Sequence, residues 1–267
     1  MPVKPISNLK IASWNVNSIK VRQDHVKAWL EKHQPDLLLL QELKTLDMPT
    51  TPFEEIGYHV QAATQKTYNG VAILSKEPAN VVCDTLPGNP DDAQARYLEI
   101  TYHNIRVINI YAPNGNPVDS EKYPYKLSWM ERLYEHLALL RDEEVPFLIG
   151  GDFNVIPAND DCYDPKAWEG DALFREETHA AYQRLLNLGL TDALRVHNKD
   201  AKAYTFWDYQ GMAWPSNKGI RIDHFLLAPS ITDNLDTCWI DAEPRALEKP
   251  SDHTPIILEL SGTKGLS

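Results

Sequence analysis

The chain has 267 residues, of which 43% are hydrophobic and 24% charged. That composition builds one sizeable core and excludes a mostly disordered chain, a coiled coil and a collagen-like chain. A formal charge of −12 argues against adhesion to nucleic acid through bulk charge, although a metal ion or a local basic patch still admits a phosphate polymer.

Cys83, Cys162 and Cys238 lack paired spacing, which fits free thiols in a reducing cytosol and argues against a disulfide scaffold or a cysteine zinc site. Residues 1–10 hold no long apolar run, so no secretory signal is expected. The longest apolar stretch, residues 37–40, is too short to span a bilayer. A single domain over residues 1–267, located in the cytoplasm, is the expectation.

In chain order, strands are predicted over 10–14, 36–41, 70–75, 81–86, 96–102, 105–111, 146–150, 204–207, 221–228, 236–241 and 255–260. Each is short, apolar or β-branched, and bounded by turn residues. His103-Asn104 reads as the turn of a hairpin. Helices are predicted over 21–32, 120–141 and 178–188, from apolar residues at helical spacing. The last is expected to start at a capping Thr178 and to stop at Gly189. Strands outnumber helices, which implies sheets packed on each other with helices outside.

The informative residues are polar groups at strand ends. Asn15 follows residues 10–14, and Glu42 follows the leucine run and Gln41. Tyr111 ends 105–111, and Asp152 and Asn154 follow Gly150-Gly151. Asp223 follows Arg221-Ile222, and Asp252-His253 precedes the last apolar run. Each alone has an ordinary reading as a turn or solvated loop residue. Together they place carboxylates, a histidine, a phenol and two carboxamides on one rim. Carboxylates suit Mg²⁺, which also takes phosphate oxygens. A histidine with a carboxylate partner has a fixed tautomer, and neutral donors stabilise charge on phosphorus. The composite reads as metal-assisted hydrolysis of a phosphoester.

The motifs Ile11-Ala-Ser-Trp-Asn-Val-Asn17, Leu40-Gln-Glu-Leu-Lys44, Asn109-Ile-Tyr-Ala-Pro-Asn-Gly115, Gly150-Gly-Asp-Phe-Asn154, Arg221-Ile-Asp223 and Ser251-Asp-His-Thr-Pro-Ile256 occur in order along nearly the whole chain. In this the chain resembles the exonuclease III/AP endonuclease family, within the wider superfamily that includes DNase I. The resemblance implies an α/β fold: a four-layer α/β/β/α sandwich of two mainly antiparallel sheets. It implies Glu42 as principal metal ligand, Asn15 holding Glu42 or a second metal position, and Asp252 near the metal. One or two Mg²⁺ ions are expected, with Mn²⁺ as a substitute. It implies Asp152 as the base for the attacking water, Asn154 and Tyr111 on the phosphate, and His253 as a charged stabiliser partnered by Asp223. Two departures stand out. Leu43 replaces the usual Thr and is expected to point away from Glu42 along a strand; His224 follows Asp223 and is expected to be structural.

No Cys stands in the segment Gly219-Ile-Arg-Ile-Asp223, which separates the chain from inositol-phosphate phosphatases, and Glu248-Lys-Pro-Ser-Asp-His253 is similar to bacterial exonuclease III-like proteins. The implied substrate is double-stranded DNA with abasic sites or blocked 3′ ends, acted on by a monomer. The alternatives are a 3′-end-processing enzyme with little abasic-site activity, a phosphodiesterase acting on RNA or a small molecule, and a non-catalytic DNA-binding member of the same fold. Loop 208–218 is expected to carry a wedge, Met212 or Trp214, beside the extruded nucleotide, with Lys218 and Arg221 as DNA contacts. Trp168 and Phe174 are expected to flank the same pocket. Lys44, Lys66, Lys126, Arg175 and Lys202 are the other basic residues near the motifs, most of them expected on the solvated surface.

Overall fold

The computed structural model describes residues 8–200 and 202–262. The residues at the extreme N-terminus that bear on a secretory signal, 1–7, lie outside that range. Twelve strands are described: β1 (Leu9–Asn15), β2 (Leu37–Gln41), β3 (His59–Ala63), β4 (Val71–Ser75), β5 (Asn80–Cys83), β6 (Tyr97–Tyr102), β7 (Ile105–Tyr111), β8 (Phe147–Asp152), β9 (Thr191–Asp192), β10 (Asp223–Leu227), β11 (Leu235–Ile240) and β12 (Ile256–Leu260). The α-helices are α1 (Ile19–His33), α2 (Thr51–Glu54), α3 (Lys122–Asp142), α4 (Glu176–Asn187), α5 (Ala193–His197) and α6 (Pro229–Thr232).

The strands form two six-stranded sheets, in the orders β11-β12-β1-β2-β4-β3 and β5-β6-β7-β8-β10-β9. Each sheet has one parallel pair, β1 with β2 and β7 with β8, and its other pairs are antiparallel. A parallel pair needs a crossover, and α1 and α3 supply the two. The halves of the molecule therefore repeat one plan: strand, helix, parallel strand, then two further strands added at the outer edge.

Residues alternate across each strand, so a strand covered on both faces must be apolar throughout. The leucines of β2 show this. Leu37 and Leu39 enter the core between the sheets with Ile11, Ile73, Val107, Leu148 and Phe225, while Leu38 and Leu40 pack with Val26, Trp29 and Leu30 of α1. On the other side, Ile108, Ile110, Phe147 and Ile149 meet Leu133 and Leu137 of α3 and Leu185 of α4. The result is helix, sheet, sheet, helix.

Several sequence expectations change. Residues 204–207 form only isolated bridges, through Phe206 to Ile220 and His253. Strand β5 stops at Cys83, short of residue 86. Helix α4 begins at Glu176, so Thr178 lies inside its first turn, where its hydroxyl donates to the Ala172 carbonyl at 2.7 Å. Gly189 does end that helix region, with φ of 86° and its N–H on Leu186 O. His103 and Asn104 both adopt positive φ, as a two-residue hairpin turn between β6 and β7 requires.

Candidate active site

The register aligns the functional side chains. Tyr111 of β7 lies opposite Asp152 of β8, and Asp152 lies opposite Asp223 of β10. Partners in register point to the same face, so phenol and carboxylates stand in a row along one sheet end. The other sheet contributes Asn15, the last residue of β1, and Glu42, just beyond β2. Glu42 is in the left-handed region (φ 55°), so the chain leaves the strand sharply there. Leu43 consequently is not a strand residue. It is turned from Glu42 for another reason: it is buried in the α1 core, with its N–H on Gly70 O.

Two glycines let β8 deliver Asp152. A Cβ on Gly150 would lie 2.3 Å from Phe225 Cε1, and one on Gly151 (φ 140°) 2.0 Å from the Ile110 carbonyl oxygen. The seam between the sheets is pinned beside the site by a buried amide pair. Asn109 Nδ2 donates to Leu40 O and Ala72 O across the seam, and Gln41 Nε2 donates to Asn109 Oδ1 at 2.8 Å.

Asn15 Nδ2 donates to Glu42 Oε1 and to Asp152 Oδ2, each at 2.9 Å. Its carbonyl oxygen accepts from the Asn17 N–H. Asn15 thus holds the two carboxylates. Lys44 Nζ sits 2.7 Å from Glu42 Oε2. Burial works to raise the Glu42 pKa, but Lys44 and Asn15 outweigh it and hold the carboxyl below its usual range.

Asp152 is buried, and burial pushes its carboxyl up to about 7; His253 opposes this, while Asp223 and Glu42 add to it. His253 Nδ1 lies 2.8 Å from Asp223 Oδ2, and its Nε2 lies 3.8 Å from Asp152 Oδ2. Burial disfavours the imidazolium, yet the Asp223 and Asp152 carboxylates outweigh it and push His253 up to about 10. Burial, with Glu42 and Asp152 alongside, holds the Tyr111 phenol well above its ordinary range, so it remains a donor. Asn154 is left-handed (φ 49°); its N–H donates to Asp152 Oδ1, its Nδ2 to Ala112 O, and its Oδ1 accepts from Asn114 Nδ2.

Ligand atoms of Glu42, Asp152 and His253 fall within 4.8 Å of one another. His253 Nδ1 is committed to Asp223, so the oxygen donors that this cluster could offer an ion are the Glu42 and Asp152 carboxylates. Two oxygen ligands, one of them a dry carboxylate with a raised pKa, fit a hard dication that keeps waters or takes phosphate oxygens. Asp252 lines the same cleft but stands outside this tight group, with Oδ1 accepting from Asn17 Nδ2 at 3.1 Å.

The cleft, about 300 Å³, is walled by Asn114, Asn116, Trp168, Leu173, Phe206, Ile220 and Ile222 in addition to the charged groups. Phe174 faces the neighbouring groove with Arg175 instead. The sequence profile of the endonuclease/exonuclease/phosphatase family matches residues 12–253, a span that takes in all these groups. The chain belongs to that family. A curated relative, exodeoxyribonuclease III of Haemophilus influenzae, is 36% identical over 94% of this chain and 99% of its own length. The structure of a 3′–5′ exonuclease from Neisseria meningitidis superposes with a TM-score of 0.90 at 42% identity, covering 95% of this chain and all of that one. An AP endonuclease from Archaeoglobus fulgidus superposes with a TM-score of 0.88 at 38% identity, over 94% of this chain and 98% of that one.

Within this family frame, one expected DNA contact needs correction. Arg221 is buried, not on the rim. Its guanidinium donates to Asp161 (2.6 and 3.1 Å) and to Asp192 (2.8 Å), and meets His224 Nδ1 at 2.9 Å, so it is spent on the interior. His224 completes this structural network through Nε2 to Val155 O. Lys126 is likewise fully buried, not solvated. In loop 208–218, Met212 is 68% exposed with φ 56°, whereas the Trp214 ring packs edge-on against Trp207 at 4.8 Å and over Arg245. Met212 is therefore the free tip and Trp214 part of the loop's base; Lys218 is exposed. Sequence reading passed over Asn17 and Asn114, although both lie inside the motifs it quoted. It missed Asp161 and Asp192 because only the fold brings them to Arg221.

Proposed function

We propose that the protein is a Mg²⁺-dependent DNA repair nuclease. It hydrolyses the phosphodiester 5′ to abasic sites, removes 3′ blocking groups and shortens duplex ends 3′ to 5′. One observation carries this reading: the Glu42, Asp152 and His253 cluster lies in a cleft that Trp168, Leu173, Phe206, Ile220 and Ile222 also line. The charged groups receive phosphate; the apolar side chains receive the face of a sugar that carries no base. The ion, held by Glu42 and Asp152, supplies charge neutralisation and polarisation of the phosphoryl group when bound.

The side chains divide the remaining work. Asp152, tied to Glu42 through Asn15 Nδ2, is placed to take the proton of the attacking water. His253 presents an N–H from Nε2, kept charged by Asp223 on its far side. Tyr111 and Asn154 donate to phosphate oxygens as negative charge grows on them. Met212 at the loop tip enters the stack beside the lesion, where no base pair has to be broken. The chain works as a monomer in the cytoplasm, and Mn²⁺ substitutes for Mg²⁺. A 3′-end-processing specialist is the second reading, supported by the likeness to the Neisseria exonuclease.

The test is one labelled duplex carrying a central abasic-site analogue, with an undamaged control, in Mg²⁺ or in EDTA. The proposal expects a metal-dependent nick 5′ to the lesion and none within the control. Shortened or dephosphorylated 3′ ends without that nick select the second reading. No metal-dependent cleavage of either kind refutes both.

A further inference from the structure

Lys126 lies on the inner face of α3 with its side chain fully buried. Its Nζ donates to three backbone carbonyls: Asn154 O at 2.6 Å, Asn114 O at 3.1 Å and Ala172 O at 3.1 Å. Three acceptors match the three N–H groups of an ammonium; a neutral amine has two N–H groups and would aim its lone pair at the third oxygen. Burial outweighs the pull of the Asp152 and Asp171 carboxylates and lowers this group to about 7, so it is the three-acceptor geometry that marks it as an ammonium.

The three carbonyls belong to three separate segments. One follows β7 and carries Asn114 and Asn116, one follows β8 and carries Asn154, and the third carries Trp168, Asp171 and Leu173. Together these supply much of the cleft wall. They also touch one another, through Asn114 Nδ2 on Asn154 Oδ1, Asn116 Nδ2 on Asp171, and Ile156 N–H on Leu173 O. Each of those links joins two segments, whereas the ammonium joins all three at one atom. The backbone is drawn flush over the lysine stem: a Cβ on Gly115 would come 2.8 Å from Lys126 Cδ.

We propose that Lys126 is a positioning residue for phosphoester hydrolysis, its buried ammonium fixing the Asn154 segment against the two neighbouring segments of the cleft wall. This rests on the nuclease reading above. Asn154 holds a left-handed backbone and donates its main-chain N–H to Asp152 Oδ1. Pinning its carbonyl from behind sets where its side chain meets the phosphate.

The test is a double-mutant cycle between Lys126→Met and Asn154→Ala, on a duplex with an abasic-site analogue and one with a 3′ phosphate. Wild-type cleavage comes first, because its failure sinks the nuclease reading and not this inference alone. Lys126→Met, confirmed folded by circular dichroism at the assay temperature, should lower kcat about 10- to 100-fold with KM held within about threefold. In the Asn154→Ala background the same change should cost less than about threefold further, since the residue it acts through is gone. A folded Lys126→Met with wild-type kcat overturns the inference, as do losses that multiply in the double mutant. Should Lys126→Met not fold, Lys126→Arg carries the same cycle. It keeps the charge but spreads its donors over three nitrogens. A kcat loss absorbed by Asn154→Ala supports the inference, and an absent or multiplicative one overturns it.

Discussion

Replacing Arg221 by Met separates a structural arginine from a DNA contact. The guanidinium makes four polar contacts at 2.6 to 3.1 Å, three to carboxylate oxygens and one to His224, in a region without solvent. Met fills similar volume but leaves Asp192 without its cation, and Asp161 with Arg195 alone. Breaking a buried pair from one side costs about 3–5 kcal/mol, and the surviving Arg195 places this case toward the lower end. In a chain of this length that is a fall in Tm of roughly 6–20 °C. Equilibrium urea unfolding measures the loss, and DNA affinity measured well below the transition should stay within about twofold of wild type. Acid adds a second signature. Burial works to raise the Asp161 pKa, but Arg221 and Arg195 outweigh it and hold the carboxyl below its usual range. A depressed folded-state pKa gives stability that is present above the unfolded value, near 3.9, and is lost as pH falls through the folded one. The wild type therefore gives up in acid what the variant has already lost, and the two stability curves converge as pH falls below about 4. A stability loss under about 1 kcal/mol, or weakened DNA binding by a fully folded variant, would refute the buried-network account.

Further outcomes follow from the same geometry. Asp152→Asn should lower single-turnover cleavage by about 10²- to 10⁴-fold with DNA affinity retained in a gel-shift assay; turnover within tenfold of wild type would assign the base elsewhere. Glu42→Ala should raise the Mg²⁺ concentration giving half-maximal rate by about tenfold or more, equivalent to ~1.4 kcal/mol of ion binding. An unchanged midpoint moves the ion away from Glu42. With Arg221 and Lys126 buried, few cations remain for phosphates, so log Kd should vary with log salt with a slope of only about 2–4 in magnitude. A slope near 10 in magnitude would reveal a basic surface absent from this account. Met212→Ala should reduce abasic-site incision several-fold more than removal of a 3′ phosphate, and equal losses on both substrates would dispose of the wedge.

Much of the architecture could be read from residue patterns because burial wrote them plainly. The unbroken leucines of β2 announce a strand covered on both faces, and the polar residues that follow apolar runs mark the sheet ends that carry the site. What escaped was decided by distant partners. β3, with His59, Gln61 and two alanines, is an edge strand lacking an apolar alternation. Arg221 looks like a rim cation until the fold brings Asp161 and Asp192 to it from 60 and 29 positions away. Lys126 sits among apolar helix residues as any solvated lysine might, and only its three carbonyl partners mark it as interior. Trp214 was as good a wedge as Met212 on paper; the fold sets it apart, half-buried and edge-on to Trp207, while Met212 is exposed.

The amide pair at the seam has a consequence beyond holding the sheets together. Glu42 follows the end of one sheet and Asp152 ends a strand of the other, so the gap between the two carboxylates depends on how the layers are stacked. Asn109 and Gln41 act on that gap as a stop acts on a caliper. The ring of Phe225 fills the space beneath Gly150, directly behind Asp152, and so sets the jaw from the opposite direction. The room left between the two carboxylates is then set in part by the sandwich interior.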